Sequence, residues 1–270
     1  MLQRRIVSRD EWLIERKQHL GLEKAFTRLR DEVSRSRRAL PWVKVDKEYI
    51  FEGPDGQESL GDLFEGRSQL IVYHFMFAPD WAWGCPSCSF LVDHIDGTLI
   101  HLAHRNVTLR VVSRAPLPHI QAFQNRMGWK FKWMSSFAND FNYDHGVSFV
   151  PDRVVDGMVT YNYVTHDYAE GMIEEGHGTS VFYKEADGTV YHTYSSYARG
   201  CDLLIGTYNY LDLVPKGRDE DSMPFSMAWL RHHDRYDDYH LDLTAGYPMP
   251  GKVSDSCCGS HSKKDQSAAI

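Results

Sequence analysis

Hydrophobic positions along this chain change period several times, and each change marks an element. "SRDE" at 8–11 places Ser8 three residues ahead of Glu11, a capping box, and Trp12, Leu13, Leu20, Phe26, Leu29 and Val33 follow at loosely helical spacing. Gly21 is a point at which this helical region can divide in two, and Pro41 ends it. Residues 42–64 then alternate apolar and polar around Gly53, Pro54, Asp55 and Gly56, the pattern of a β-hairpin leading into a short helical turn. "QLIVYHFMF" (69–77) is almost continuously apolar, which predicts a strand buried on both faces. Phe90, Leu91, Ile95, Leu99, Leu102 and Ala103 recur every three or four positions, so 86–104 reads as a helix despite Gly97. "VTLRVVSR" (107–114) is a second buried strand, and "PLPHIQAFQNRMGW" (116–129) a second helix. Strand, helix, strand, helix implies a parallel sheet with a right-handed crossover.

The pattern weakens over 129–175, which is rich in aromatics and turn residues and is expected to form an insertion over the sheet. It sharpens again in 179–197, two alternating strands around Asp187-Gly188 that predict a hairpin, followed by a helical start to 198–214. From Gly217 the chain turns polar, and 237–270 reads as a disordered polar tail. The element order is that of an α/β thioredoxin-like fold: an N-terminal helical extension (1–40), a core domain (41–236) carrying the insertion, and the tail. No internal repeat is visible.

Composition narrows the functional classes. The 270 residues suffice for a substantial core, and 42% hydrophobic with 25% charged residues is ordinary globular usage. Thirty basic residues against 37 acidic ones give a net charge of −7, and the one basic cluster, "RDEVSRSRR" (30–38), is interrupted by Asp31 and Glu32. A nucleic-acid partner needs a concentrated basic face, so none is expected. The longest apolar stretch, Leu70 to Ala78, is far short of the ~20 residues that span a bilayer. "MLQRRIVSRDEW" has no apolar signal core, and the expected location is the cytoplasm.

In a reducing compartment five cysteines (85, 88, 201, 257 and 258) do not form a structural disulfide framework. Cys85 and Cys88 in "WAWGCPSCSF" fall where a buried strand ends and a helix begins, with Pro86 at the first helical position. Unpaired backbone N–H groups at that end favour thiolate on Cys85, which makes it the candidate attacking sulfur. Cys88, one turn on, is the candidate resolving thiol. Trp81 and Trp83 would shape the mouth of the site. Two other readings stay open. The pair could be structural, or it could hold copper or zinc together with a histidine, although two thiolates are only half of a closed zinc site. The tail residues Cys257, Cys258 and His261 could complete such a set only by folding back.

Taken in order, "HFMFAPDWAWGCPSCSF", "VVSRAPL", "MGWKF", "FNYDHGVSF", "GTSVFYKEADGTVYHTYSSYARG" and "LDLVPKGRDE" resemble the thioredoxin-like bacterial family known as domain of unknown function 899, over about residues 5–236. The resemblance implies a thioredoxin-like domain with the cysteine motif at its active-site corner, and no substrate. "DGQESLGDLFEGRSQLIVYHF" also resembles the approach to the active cysteine in peroxiredoxins. Two departures stand out. Thr179 has no proline before it where thioredoxins carry a cis-proline, and Ala82 stands where peroxiredoxins have a threonine three residues before the cysteine.

Further candidates lie at strand ends. Arg114 closes the second buried strand at the carboxyl edge of the sheet, where open α/β folds bind ligands, and is a candidate anion contact. Tyr194 and Arg199, in "YHTYSSYARG", are candidate lining for a substrate. His74, His94, His101 and His104 are expected to be packed or solvated, and "RHHDRYDDYH" (231–240) to be a polar segment. No glycine-rich dinucleotide or phosphate loop is present, so no organic cofactor is expected. The reading is a thiol-disulfide oxidoreductase acting on a thiol or disulfide partner, with a homo-oligomer compatible with it.

Overall fold

The structure, a computed structural model, describes residues 5–169 and 172–236. The chain divides after Val43 into two compact units. The first contains helix α1 (Arg9–Arg38). Its capping box forms as expected: the Glu11 N–H donates to Ser8 Oγ at 3.3 Å, and the Ser8 N–H donates to Glu11 Oε2 at 2.9 Å. The helix runs through Gly21 without dividing. A single glycine costs about 1 kcal/mol relative to alanine, which the flanking Leu, Glu, Lys and Ala residues outweigh.

A two-residue strand, β1 (Val43–Lys44), marks the junction. In the second unit β2 (Ile50–Gly53) and β3 (Gly56–Ser59) form the expected hairpin. Strand β4 (Gln69–His74) pairs in parallel with β5 (Val107–Ser113), and β5 with β6 (Trp133–Ser135). On the other side of β4, β9 (Gly178–Lys184) is antiparallel and is followed outward by β10 (Val190–Tyr197), also antiparallel. The order is β10-β9-β4-β5-β6-β2-β3. Its core, β10-β9-β4-β5 with helices after β4 and β5 and a helical segment after β10, is the thioredoxin-like arrangement. A separate hairpin, β7 (Met158–Tyr161) with β8 (Val164–Asp167), comes from the 129–175 region, but β6 joins the main sheet.

The apolar runs have a direct cause: both sheet faces are covered. Leu70 and Val72 of β4, Val112 of β5 and Met134 of β6 pack with Phe51, Phe64 and Phe182 on one face. Tyr73, Val111 and Trp133 pack on the other, with Phe75, Phe77, Phe123 and Trp129. Alternation disappears from the sequence because each side chain finds an apolar layer whichever way it points.

The expected 86–104 helix is three pieces. Helix α2 (Pro86–Val92) ends at Asp93, a 3₁₀ turn covers Asp96–Thr98, and α3 (Leu99–His104) follows. Asp93 and Asp96 are drawn outward: Asp93 Oδ1 accepts from Trp129 Nε1 at 2.7 Å and Asp96 Oδ2 accepts from the Lys130 N–H at 2.8 Å. The spacing of apolar residues survives such breaks, and the breaks themselves are set by partners 34 to 36 residues away. Helix α4 (Leu117–Met127) closes with Gly128 in the left-handed region, at φ 69°. After β10 a 3₁₀ segment (Ala198–Leu204) leads to α6 (Gly206–Leu211), with the short α5 (Phe141–Asp144) lying earlier.

Candidate functional site

The loop from Phe75 to Gly84 carries the chain from β4 into α2, and Met76 ties both cysteines to it. The Cys85 N–H donates to Met76 O at 3.1 Å, and the Met76 N–H donates to Cys88 Sγ at 3.4 Å. Cys85 is the N-cap of α2 with Pro86 at N1, and its carbonyl accepts from both the N–H (3.0 Å) and the hydroxyl (2.9 Å) of Ser89. Neither cysteine is in a disulfide, and they are 4% and 1% exposed. Behind the turn, Gly84 O accepts from His232 Nε2 at 2.9 Å.

Gly84 has no room for a side chain. A Cβ there would stand 2.5 Å from Phe75 Cε1 and 2.7 Å from Phe123 Cε1. Gly84→Ala is expected to destabilise the fold by about 1–3 kcal/mol, as overpacking of a rigid aromatic cluster does. Thermal unfolding followed by circular dichroism checks it, and an unchanged midpoint would mean that the rings yield freely.

Cys88 sits at the centre of a small hydrogen-bonded group. Burial pushes its thiol well above the ordinary range, and a hydrogen bond to Cys85 acts in the same direction: Cys88 keeps its proton and offers it to the neighbouring sulfur. The Tyr73 hydroxyl and the Met76 N–H donate to Cys88 Sγ and oppose that rise. Tyr73, fully buried, is itself held in its neutral form by burial. Thr179 is the register partner of Tyr73. Its Oγ1 lies 3.7 Å from the sulfur of Cys201, a third buried thiol pushed up to about 11 by desolvation.

A cavity of about 780 Å³ reaches this group. Tyr73, Cys88, His177, Arg199, Asp202 and Tyr208 are among the residues that line it. Burial holds His177 in its neutral form, and its Nε2 bonds to Ala198 O at 3.2 Å. The outer wall is residues 216–227, folded around Glu220. Its Oε1 accepts from Tyr208 Oη (2.8 Å), the Met227 N–H (3.1 Å) and Trp229 Nε1 (2.7 Å).

Of the candidates proposed from sequence, Cys88 and Arg199 line this cavity. Trp81 is buried in the aromatic layer and Trp83 packs against it. Tyr194 lies at the β10 irregularity. Arg114 serves internally: its Nε donates to Glu175 Oε1 at 2.6 Å, its NH1 donates to the Tyr143 hydroxyl, and Ser148 Oγ donates to Glu175 Oε2 at 2.8 Å. Burial pushes Glu175 up to about 7 even with Arg114 beside it. The sequence alone does not single out Tyr73, His177 or Tyr208. The one signal for Tyr73 is a hydroxyl inside an otherwise apolar strand, and the other two are brought in by long-range folding.

Among the described residues no group of three or more His, Cys, Asp or Glu is arranged to hold a metal ion. His94 Nε2 lies 2.9 Å from Thr207 Oγ1, and His233 Nδ1 lies 2.8 Å from Asp93 Oδ1. Cys257, Cys258 and His261 lie outside the described residues, as does the rest of the expected tail. No described helix is long and apolar enough to cross a membrane.

A family model described as "Bacterial protein of unknown function (DUF899)" matches residues 1–236. The chain belongs to this family. Among curated proteins none matches it. Solved structures similar to this DUF899 chain include peroxidoxin BcpB from Mycobacterium tuberculosis, 12% identical over 62% of this chain and 95% of that one, with a TM-score of 0.41. A cysteine-to-serine mutant of PrxQ from Xylella fastidiosa is 11% identical over 60% and 88%, TM-score 0.37. Peroxiredoxin Q from Xanthomonas campestris is 16% identical over 63% and 96%, TM-score 0.38. The thioredoxin-like assignment for the DUF899 chain rests on its own strand order and connections.

Proposed function

We propose that this DUF899 protein is a thiol-disulfide oxidoreductase that cycles Cys85 and Cys88 between dithiol and disulfide. The observation that carries the reading is the arrangement around Cys88: its proton is directed at Cys85, and its sulfur accepts from Tyr73 and Met76. Charge in the reduced pair then belongs on Cys85, the attacking sulfur, and Cys88 holds its proton until it resolves. Cys85 attacks a substrate disulfide, one half of the substrate leaves as a thiolate and is protonated, and a mixed disulfide remains on Cys85. Cys88 then loses its proton and attacks the Cys85 sulfur, releasing the second half. Two electrons pass from the protein to the substrate, and a dithiol reductant resets the pair. The same reading places the protein in a reducing compartment such as the cytoplasm.

The test is anaerobic equilibration of the full chain in graded ratios of reduced to oxidised dithiothreitol, followed by alkylation and mass mapping of every cysteine. A reversible two-electron transition confined to Cys85 and Cys88 is expected, and its midpoint places the pair on the oxidoreductase scale. Independent alkylation of the two thiols at every ratio would end the proposal.

A further inference from the structure

Both sulfurs lie below the surface, with 4% of Cys85 and 1% of Cys88 exposed. A disulfide in a folded protein reaches a partner sulfur only where that sulfur stands at the surface. Here a cavity of about 780 Å³, within the ~300–1,000 Å³ range of small-molecule sites, meets the pair at Cys88. Buried Tyr73 and Cys88 line it, with the apolar side chains of Leu91 and Ile205.

The rim says more about the ligand. Several of its charges are already used in building it. Arg218 is held by both oxygens of Asp212 (2.8 and 2.9 Å) and by Asp202 (3.2 Å), and lies 3.7 Å from the centre of the Tyr208 ring. Glu220 is occupied by its three donors. Lys216, Asp219 and Asp221 also line the cavity, and no ion pair or hydrogen bond of their side chains is found among the described residues. One ammonium and two carboxylates, held on a wall whose other charges are satisfied, complement a ligand that carries both signs itself.

We propose that this cavity binds a low-molecular-weight disulfide with amino-acid ends, each bearing an ammonium and a carboxylate, and that such a zwitterionic disulfide is the substrate of the dithiol. The inference rests on the oxidoreductase reading above. The ligand S–S bond seats against Cys88, whose side chain is hydrogen-bonded to Cys85. Cys85 thiolate forms a bond to one ligand sulfur as the ligand S–S bond breaks, and the freed thiolate takes a proton from water. Cys88 gives up its proton, bonds to Cys85 and expels the second thiolate. The products are two amino-acid thiols and the Cys85–Cys88 disulfide, and dithiothreitol returns the pair to the dithiol.

The experiment mixes the reduced full-length protein anaerobically with cystine, with bis(2-hydroxyethyl) disulfide or with insulin, and follows bridging of Cys85 and Cys88 by alkylation and mass mapping. Each rate is divided by that of the same disulfide with free dithiothreitol. Cystine is expected to outpace the uncharged disulfide and insulin by at least about tenfold. Lys216→Ala and Asp219→Asn are each expected to lower the ratio of cystine to uncharged disulfide by about three- to fivefold, the effect of removing one exposed ion pair. A ratio near one, or insulin reacting as fast as cystine, overturns the inference and leaves the dithiol reading standing. If oxidised dithiothreitol also fails to bridge the pair, both fall together.

Discussion

Cys85→Ser is expected to lower disulfide turnover at least about 10³-fold, and Cys88→Ser to stop after one half-reaction with the substrate fragment bound to Cys85. The asymmetry follows from the hydrogen-bonded pair. A serine at 85 cannot form the mixed disulfide, and the remaining thiol is the one that burial holds well above its ordinary range, so little thiolate is available to replace it. A serine at 88 leaves Cys85 able to attack but removes the sulfur that would expel the fragment. Intact mass spectrometry after exposure to excess small disulfide reads both outcomes: one stoichiometric, dithiothreitol-reversible adduct on the Cys88→Ser protein and none at position 85 of the other. The double variant should be no slower than Cys85→Ser alone, because residues acting as a unit are not additive. Equal turnover by wild type and Cys85→Ser would remove Cys85 from the chemistry.

Much of the fold is legible in sequence because the information is local. The capping box at Ser8 and Glu11, the Gly53–Gly56 turn and the Asp187-Gly188 turn each specify their geometry within a few residues, and all three form. The two continuous apolar runs identify β4 and β5 because a sheet covered on both faces leaves no polar alternation. What fails is what depends on distant partners. Apolar spacing cannot reveal that Asp93 will be claimed by Trp129 and Asp96 by Lys130, so three short helical pieces read as one. Trp133–Ser135 is three residues long, too short to show a period, and becomes a strand only because β5 offers it an edge.

The site divides in the same way. Cys85, Pro86 and Cys88 are contiguous, and their placement between a buried strand and a helix follows from spacing alone. The cavity beside them is assembled from β4, the 3₁₀ segment after β10 and residues 216–227, which no local pattern connects. Arg114 shows the limit of reasoning from strand ends. The carboxyl edge of a strand is a sound place to look for an anion contact, but Glu175, 61 residues on, arrives buried beside it with two oxygens to satisfy. An arginine bonded to a buried carboxylate and a tyrosine is part of the scaffold.

Acid is expected to lower stability between pH 7 and pH 4, through histidines packed against the sheet. His74 is fully buried, its Nε2 2.8 Å from Ser180 Oγ, which lies 2.8 Å from Ser195 Oγ; His192 Nε2 lies 2.7 Å from the same Ser195 oxygen. The His145 ring sits 5.5 Å from His74 and 5.2 Å from His192. Desolvation, followed by the other two rings, holds His74 well below 6.5, and desolvation and His192 push His145 down to about 3. In the unfolded chain these groups protonate below about pH 6.5, but in the folded protein His145 does so only at about 3 and His74 well below its unfolded range. Their stabilisation is therefore fully present above pH 6.5 and is lost as the pH falls toward 3, at about 1.4 kcal/mol per pH unit for each group. By pH 4 His145 alone has lost about 3 kcal/mol, and His74 adds to the loss in the same direction. Glu175 works in the opposite sense: raised to about 7, it takes up a proton in the folded state before the unfolded chain does, and returns about 3 kcal/mol over the same interval. His177, His192 and His232, all lowered by burial, add to the loss. Urea unfolding at pH 7, 5.5 and 4 measures the net effect. His145→Phe isolates one member, because a phenyl ring preserves the contacts with Phe141 (4.4 Å) and Phe182 (5.4 Å) and cannot titrate. The variant is expected to flatten the pH dependence by about one proton. If variant and parent lose stability in parallel, the acid sensitivity originates elsewhere.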